Sequence, residues 1–291
     1  MMGKITLCLV TVLFLAACTG DFNEQDGRPS QLVVEGWVED GGFPVVMLTR
    51  SLQVSKDYQK MDELGDYIIR WAKVVVNNGT DSVVLTGKYD NGYFPPFVYT
   101  TNHMRGEVGK QYTLTVEYKD YYAEATTTIP SVPDQCKFYV KKCDDSDTLY
   151  QIKAKFTDNP WEKNFYQLFI RMGTEEKQYS ASYLGSFDDA VLNNEVEVPV
   201  YRRYQLGKEK YTPYFTENDT VSVKFAQVDE MSFRIWDSFT KNLSLSGNMF
   251  LSTSSDIVTN ISGGYGYWCG YGVITDHIII HDSVSTVSPS R

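Results

Sequence analysis

Apolar and polar side chains alternate with a period of two along much of this chain, beginning at residues 32–39. Because successive side chains of a strand point to opposite faces of the sheet, this segment predicts a strand with one apolar face. Turn-forming residues at 41–42 and 90–92 separate it from further short alternating segments. Short strands joined by tight turns indicate an antiparallel β-sandwich over residues 32–130.

A second β unit follows a proline-containing boundary. Pro130 and Pro133 lie within residues 129–134, and neither can donate a hydrogen bond to a central strand. Alternation resumes after this boundary, for example at residues 150–156. We therefore expect a C-terminal β domain over residues 134–291. The predicted fold class is mainly β, with two consecutive antiparallel, immunoglobulin-like sandwiches.

One segment has helical rather than strand periodicity. Phe233, Trp236 and Leu243 recur on one face of a helix, acidic residues precede them, and Gly247 follows the last turn. This pattern predicts an amphipathic helix near residues 230–245. We expect it to cover the open end of the second sandwich. A helix that binds a partner is the alternative.

Residues 1–17 have the pattern of a bacterial signal peptide. Residues 5–17 carry no charge and are too short to cross a bilayer as a helix, which takes about 20 residues. They end in Leu-Ala-Ala directly before Cys18, the arrangement that lipoprotein processing requires. We expect Cys18 to carry acyl chains such as palmitate, and residues 18–31 to form a flexible lipidated tether. The alternative is an ordinary secretory peptide that happens to end before a cysteine.

The charge balance argues against one class of partner. The chain has a net charge of −10 and no basic stripe that could neutralise nucleic-acid phosphates. The densest basic group, around Arg202-Arg203, is short and typical of a solvated surface. We therefore expect no nucleic-acid partner. The acidic composition also fits a folded domain that a lipid holds at a membrane.

Few residues suit metal binding or catalysis. The cysteines after residue 18 lack Cys-x-x-Cys spacing, and we predict free thiols at Cys136, Cys143 and Cys269. His277 and His281 would lie about 13 Å apart on one strand, too far to share a metal ion. No nucleophile elbow, zinc-protease motif or nucleotide loop occurs in the sequence. We expect no cofactor, no metal site and no catalytic residues, and therefore no enzyme.

Aromatic side chains give the strongest indication of ligand binding. The four candidates lie among the glycines of residues 263–272 and are Tyr265, Tyr267, Trp268 and Tyr271. Glycine lets the backbone bend and expose such rings, and exposed tyrosine and tryptophan can stack on sugars or peptide groups. We predict that these residues bind a ligand. Core packing is the alternative here, as it is for the aromatic clusters near residues 89–99 and 201–215.

A set of short motifs runs in order along nearly the whole chain after residue 18. They are LVVEGWV at 32–38, LTRS at 48–51, GKQYTLTV at 109–116 with the run 123–130, FTDNP at 156–160 with NFY at 164–166, GNMF at 247–250 and NISGG at 260–264. In these motifs the chain resembles the Bacteroidota outer-membrane lipoproteins that contain domain of unknown function 4249. Met249 and residues 265–268 depart from the family pattern. The resemblance implies an outer-membrane lipoprotein, often encoded beside a TonB-dependent receptor, and it implies no catalytic residues.

Three functional hypotheses follow. The first is a non-enzymatic lipoprotein, anchored in the outer membrane and facing the periplasm or the cell surface, that captures a ligand beside a TonB-dependent receptor. The second is an adhesin or fimbrial subunit assembled by strand donation, with residues 275–281 as the donor strand. The third is an enzyme whose site is assembled from residues far apart in the sequence.

Overall fold

The computed structural model describes residues 30–51, 65–132, 136–159, 161–189, 195–203, 211–246 and 258–281. The predicted signal peptide, Cys18 and nearly all of the tether lie outside the described residues. Within these ranges the protein is mainly β with one α-helix, which confirms the class that the alternation predicts. No helix within the same ranges has the length and apolar character needed to span a membrane.

The described part of the first half contains eight strands, of which the three longest alternate buried side chains with more exposed ones. The eight strands are β1 (Leu32–Glu39), β2 (Val45–Arg50), β3 (Lys73–Asn77), β4 (Ser82–Val84), β5 (Thr86–Tyr89), β6 (Phe97–Thr100), β7 (Gln111–Tyr118) and β8 (Tyr121–Thr128). In β1 every second residue from Leu32 to Val38 is fully buried. The period of two in the sequence therefore determines which face of such a strand enters the core.

The second half contains eight strands and the helix in the described part of the chain. They are β9 (Lys137–Lys142), β10 (Leu149–Thr157), β11 (Phe165–Met172), β12 (Ser180–Asp188), β13 (Glu195–Val200), β14 (Phe215–Thr216), β15 (Thr220–Val228), α1 (Glu230–Ser246) and β16 (Tyr265–Ile279). Most side chains of β11 and β15 are buried on both faces. Buried residues therefore run continuously along these two strands, and they include polar ones such as Gln167 and Lys224.

Three sheets make up the described fold. The largest has eight strands in the order β12-β11-β15-β16-β1-β2-β6-β5. A second sheet has the order β4-β3-β7-β8, and a third contains β13-β10-β14 with β9 paired to β10. Strands β1 and β16 pair in parallel, so a segment near the beginning of the fold lies directly beside one near its end.

Strand β16 links the two halves of the large sheet. Its first part pairs with β1, from Val33 opposite Tyr265 onwards. Its second part pairs in antiparallel fashion with β15, ending at Thr220 opposite Ile279. The large sheet therefore runs through both predicted domains. The finer division into two immunoglobulin-like sandwiches stays a prediction.

The two smaller sheets pack against the same face of the large sheet. Each encloses a hydrophobic core, one around Trp268 and Tyr112 and the other around Phe156 and Phe225. On β16 the even-numbered residues, such as Trp268 and Ile278, face these cores. Odd-numbered residues of β16, such as Tyr271, face the other side, where α1 packs.

Helix α1 confirms the helix predicted near residues 230–245. Its N-terminus is capped by Asp229, whose Oδ1 accepts a hydrogen bond from the backbone N–H of Ser232 at 2.7 Å. Ile235 is fully buried, and Trp236 packs with Phe169 of β11. The helix lies over the outer face of the large sheet rather than over an open sandwich end, because buried aromatic residues of β11 and β16 provide an apolar surface there.

Candidate functional site

A cavity of about 640 Å³ lies on the outer face of the large sheet, beside α1. Strands from both halves line it, together with α1 and the loops that connect the strands. Residues as far apart in the sequence as Trp37 and Tyr271 therefore share one wall. A volume of this size is typical of small-molecule sites, which span roughly 300–1,000 Å³.

Aromatic side chains form much of the cavity wall. The ring of Trp37 lies 6.4 Å from that of Tyr93, and the ring of Trp236 lies 5.1 Å from that of Tyr267. Trp236 also meets Phe169 edge to face at 5.1 Å. Because each ring is already held by its neighbours, it can present an apolar face to a ligand at little further cost in side-chain entropy.

Hydrogen bonds orient the tyrosines at the base of the cavity. The indole Nε1 of Trp236 donates to the hydroxyl of Tyr271 at 3.0 Å. Burial raises the pKa of Tyr267 and of Tyr271 well above the usual value, so both hydroxyls stay neutral. Glu35 hydrogen-bonds Tyr267, and burial raises the pKa of the Glu35 carboxyl in spite of that bond. These hydrogen bonds therefore hold the side chains of Tyr267 and Tyr271 in a fixed orientation.

One ion pair lies inside the cavity. The ammonium group of Lys224 on β15 donates to the carboxylate of Glu39 on β1. The two side chains are only 9% and 19% exposed. Nζ of Lys224 also lies 4.0 Å from the centre of the Tyr179 ring, a cation–π distance. The pair offers both hydrogen-bond donors and acceptors in a site that is otherwise rich in apolar surface.

A contact between two loops closes one rim of the cavity. Nζ of Lys177 donates to Oδ2 of Asp90 at 2.9 Å, and the hydrogen bond from Lys177 is the main cause that lowers the pKa of the Asp90 carboxyl. The backbone N–H of Lys177 donates to the carbonyl of Gly92 at 2.8 Å. The backbone N–H of Phe94 donates to Oε1 of Gln178 at 3.0 Å. The rim thus joins a loop of the first half to a loop of the second.

The comparison with protein families identifies the chain. Residues 19–276 match the family described as Domain of unknown function (DUF4249). The chain belongs to this family. The match confirms the family part of the resemblance that the ordered motifs indicate, and it includes every residue that lines the cavity. No curated protein matches the chain. The cavity therefore lies within the part of the chain that matches the family.

The four residues predicted to bind a ligand lie in three different environments of the DUF4249 domain. Tyr267 and Tyr271 line the cavity. Trp268 points to the opposite face of β16, where it is completely buried and its Nε1 donates to the carbonyl of Tyr112 at 2.9 Å. Tyr265 is 53% exposed and lies outside the cavity lining. The binding role of the four residues stays a prediction.

The expectation that glycines bend the backbone and expose these rings is not met at Tyr267, Trp268 and Tyr271, which are buried. Residues 265–279 form a strand, and its glycines permit close backbone packing instead. A Cβ atom on Gly270 would lie 2.7 Å from the carbonyl oxygen of Thr128, and one on Gly266 would lie 1.8 Å from that of Val34. The glycines therefore let the strand approach its neighbours, and Tyr267, Trp268 and Tyr271 are buried whereas Tyr265 is exposed.

Sequence reasoning missed most of the cavity lining. Trp37 and Glu39 occupy the outward face of β1, which alternation alone assigns to solvent. Lys224 shares one face of the β15 sequence with Ser222, so alternation assigns it to solvent as well, although the structure buries it. A lysine in a buried strand requires a partner. The sequence pattern gives no indication that this partner is Glu39.

The cysteines form no disulfide within the described residues. Cys136, Cys143 and Cys269 are free thiols, as their spacing predicts. Burial raises the pKa of Cys136 and of Cys269 to about 12, so neither forms a reactive thiolate at neutral pH. The described ranges also contain no group of three or more side chains suited to hold a metal ion.

Proposed function

We propose that this protein is a non-enzymatic lipoprotein that captures a small-molecule ligand in the cavity beside α1. The single observation that carries the proposal is the cavity itself, with its volume of about 640 Å³. It combines several aromatic faces with a few polar side chains, the combination that small-molecule sites use for affinity and orientation. Capture of a ligand requires no catalytic group, in keeping with the motifs of the sequence.

The proposed location is the outer membrane, facing the periplasm or the cell surface. Support comes from the uncharged leader that ends before Cys18 and from the resemblance to Bacteroidota lipoproteins. Acyl chains on Cys18, such as palmitate, would hold the protein at the membrane. Under this proposal a TonB-dependent receptor is the partner that accepts the ligand. The fold would act as two sandwich units that share strand β16.

The alternative of an adhesin assembled by strand donation has less support. Donation would require the segment 275–281 to pair with another subunit. In the described fold, Thr275 instead pairs with Lys224 and Ile278 with Val221, both within the same chain. A donated strand would first have to break this ladder, so the ligand-capture proposal is preferred.

The cavity is tested with N-phenylnaphthylamine, a neutral fluorescent probe that brightens in apolar sites. The variant Thr86→Trp places a large ring among the cavity-lining residues, whereas Thr126→Trp changes an exposed position on β8 as a matched control. We expect the native protein and Thr126→Trp to bind the probe and Thr86→Trp to lose most of the binding. Equal binding by all three proteins would exclude the cavity as the site.

The partner is tested by purifying the native lipoprotein from membranes in mild detergent. We expect a TonB-dependent barrel protein to be recovered with it, and we expect intact-mass analysis to find acyl chains on Cys18. The variant Cys18→Ser removes the attachment point for the acyl chains, and we expect it to recover no barrel protein. Recovery of the native protein without any barrel would contradict the receptor partnership.

A further inference from the structure

We propose that the cavity selects small molecules that carry an anionic group, such as a carboxylate, sulfonate or phosphate, on a ring-containing body. The inference rests on the proposed ligand capture and adds the charge of the ligand. It depends on the balance of cationic and anionic side chains around the cavity. Cations are in excess there, whereas acidic residues are in excess over the whole chain.

At the rim, two cations share one carboxylate. Nζ of Lys177 lies 2.9 Å from Oδ2 of Asp90, and Nζ of Lys88 lies 3.8 Å from the same atom. Lys88 and Lys177 both line the cavity, whereas Asp90 does not. One carboxylate can neutralise only one of the two ammonium groups. The rim therefore has one positive charge in excess, and the lysines are 54% and 57% exposed, so they can reorient towards a ligand.

Arg171 does not line the cavity itself but lies beside the lining residue Tyr179. The guanidinium of Arg171 lies 5.0 Å from the centre of the Tyr179 ring, the same ring that Lys224 contacts. Arg171 donates to Oγ of Ser222 at 2.9 Å, its buried Nε has no hydrogen-bond partner, and it joins no ion pair with another described residue. The carboxylate of Glu39 pairs with Lys224 and not with Arg171.

The cavity is therefore cationic in an acidic protein. Three cations, Lys88, Lys177 and Lys224, line the cavity together with one carboxylate, Glu39, whereas Asp90 and Arg171 lie beside lining residues. The whole chain, in contrast, carries a net charge of −10. Clefts with low-dielectric walls strengthen the field of such an excess and draw in ligands of opposite charge. Ammonium groups also form strong, charge-assisted hydrogen bonds to anionic oxygens.

The remaining surface fits the ring-containing body of the ligand. Two pairs of lining aromatic residues are in ring contact, Trp37 with Tyr93 and Trp236 with Tyr267. Glu35 lies behind Tyr267 and does not line the cavity. A ligand can therefore place its rings among these aromatic faces and its anionic group beside Lys224 and the rim lysines.

Two matched probes separate the charge from the cavity itself. Anilinonaphthalene sulfonate and N-phenylnaphthylamine share the same aromatic body, and only the first carries an anionic group. We expect the native protein to bind the sulfonate about tenfold more tightly, a difference of about 1.4 kcal/mol. The preference should weaken as the salt concentration rises, because salt screens the cations at the rim.

Two variants of the ion pair should shift the preference in opposite directions. Lys224→Met removes a cation and is expected to weaken sulfonate binding by about tenfold. Glu39→Gln removes the competing carboxylate and is expected to strengthen it by roughly threefold. Binding of the neutral probe should stay within about twofold in both variants. Lys73→Met is the control, because neither Lys73 nor its partner Glu117 lines the cavity.

Each outcome separates the two proposals. A preference for the sulfonate that Glu39→Gln increases would support the anionic ligand, even if Lys224→Met failed to fold. Equal affinities for the two probes in the native protein would overturn this inference and leave ligand capture intact. Loss of all probe binding, or binding that survives Thr86→Trp, would overturn the proposed function as well.

Discussion

Replacement of Trp268 is expected to destabilise the fold without removing a ligand contact. The side chain is completely buried between the large sheet and the sheet containing β7, and its indole donates to Tyr112 at 2.9 Å. Truncation of a buried tryptophan to alanine costs about 3–5 kcal/mol, and loss of the hydrogen bond adds about 1 kcal/mol. Against a typical total of about 5–15 kcal/mol, Trp268→Ala should be close to unfolding.

The graded variant Trp268→Phe makes the prediction measurable. It keeps most of the apolar volume but loses the indole N–H, so we expect a loss of about 2 kcal/mol in the free energy of unfolding. Urea unfolding followed by circular dichroism measures this loss. The control is Tyr265→Phe, on the same strand and 53% exposed, for which we expect a change within about 0.5 kcal/mol. If Trp268→Phe unfolded at the native urea concentration but lost probe binding, Trp268 would be a ligand residue and this reasoning would be refuted.

Three further predictions test other parts of the fold. Gly266→Ala should lower the free energy of unfolding by more than about 3 kcal/mol, because φ is +107° and the new Cβ would meet the Val34 carbonyl. Gly79→Ala is the control, because its φ is +88° but its Cβ would enter open space, and it should cost about 1 kcal/mol. Thermal unfolding of the two variants measures the difference. Burial raises the pKa of the Asp276 carboxyl, so the fold favours its protonated form. The free energy of unfolding should therefore fall as pH rises from about 4 through that pKa. Asp276→Asn should flatten the dependence of the urea midpoint on pH, and an unchanged slope would refute this. Among the three described cysteines, Cys143 should react first with iodoacetamide in the native protein, as peptide mass mapping can show, because the other two are buried.

Several features of the fold follow from local sequence. The alternation in residues 32–39 predicts strand β1 and its buried face, because a strand places successive side chains on opposite sides of the sheet. The spacing of Phe233 and Trp236 predicts α1, because a helix brings such residues onto one face. The ordered motifs also identify the DUF4249 family. Each of these inferences uses only neighbours within a few residues or a pattern along the chain.

The candidate site could be predicted only in part. The aromatic segment near the C-terminus includes Tyr267 and Tyr271, which line the cavity, but it also includes Trp268, which belongs to the core. Composition gave the same expectation for all of them. Their separation depends on the direction that each side chain takes from β16, and that direction requires knowing that the segment is a strand paired with β1.

The sequence by itself determined the mainly β class, the helix and the family, because these depend on periodicity and motif order. Only the tertiary structure decided that β16 lies between β1 and β15, and that Glu39 meets Lys224 on the outer face of the resulting sheet. The physical reason is that strand pairing joins residues far apart in the chain. Local periodicity states which face of a strand is apolar, but it does not state which distant strand lies beside it.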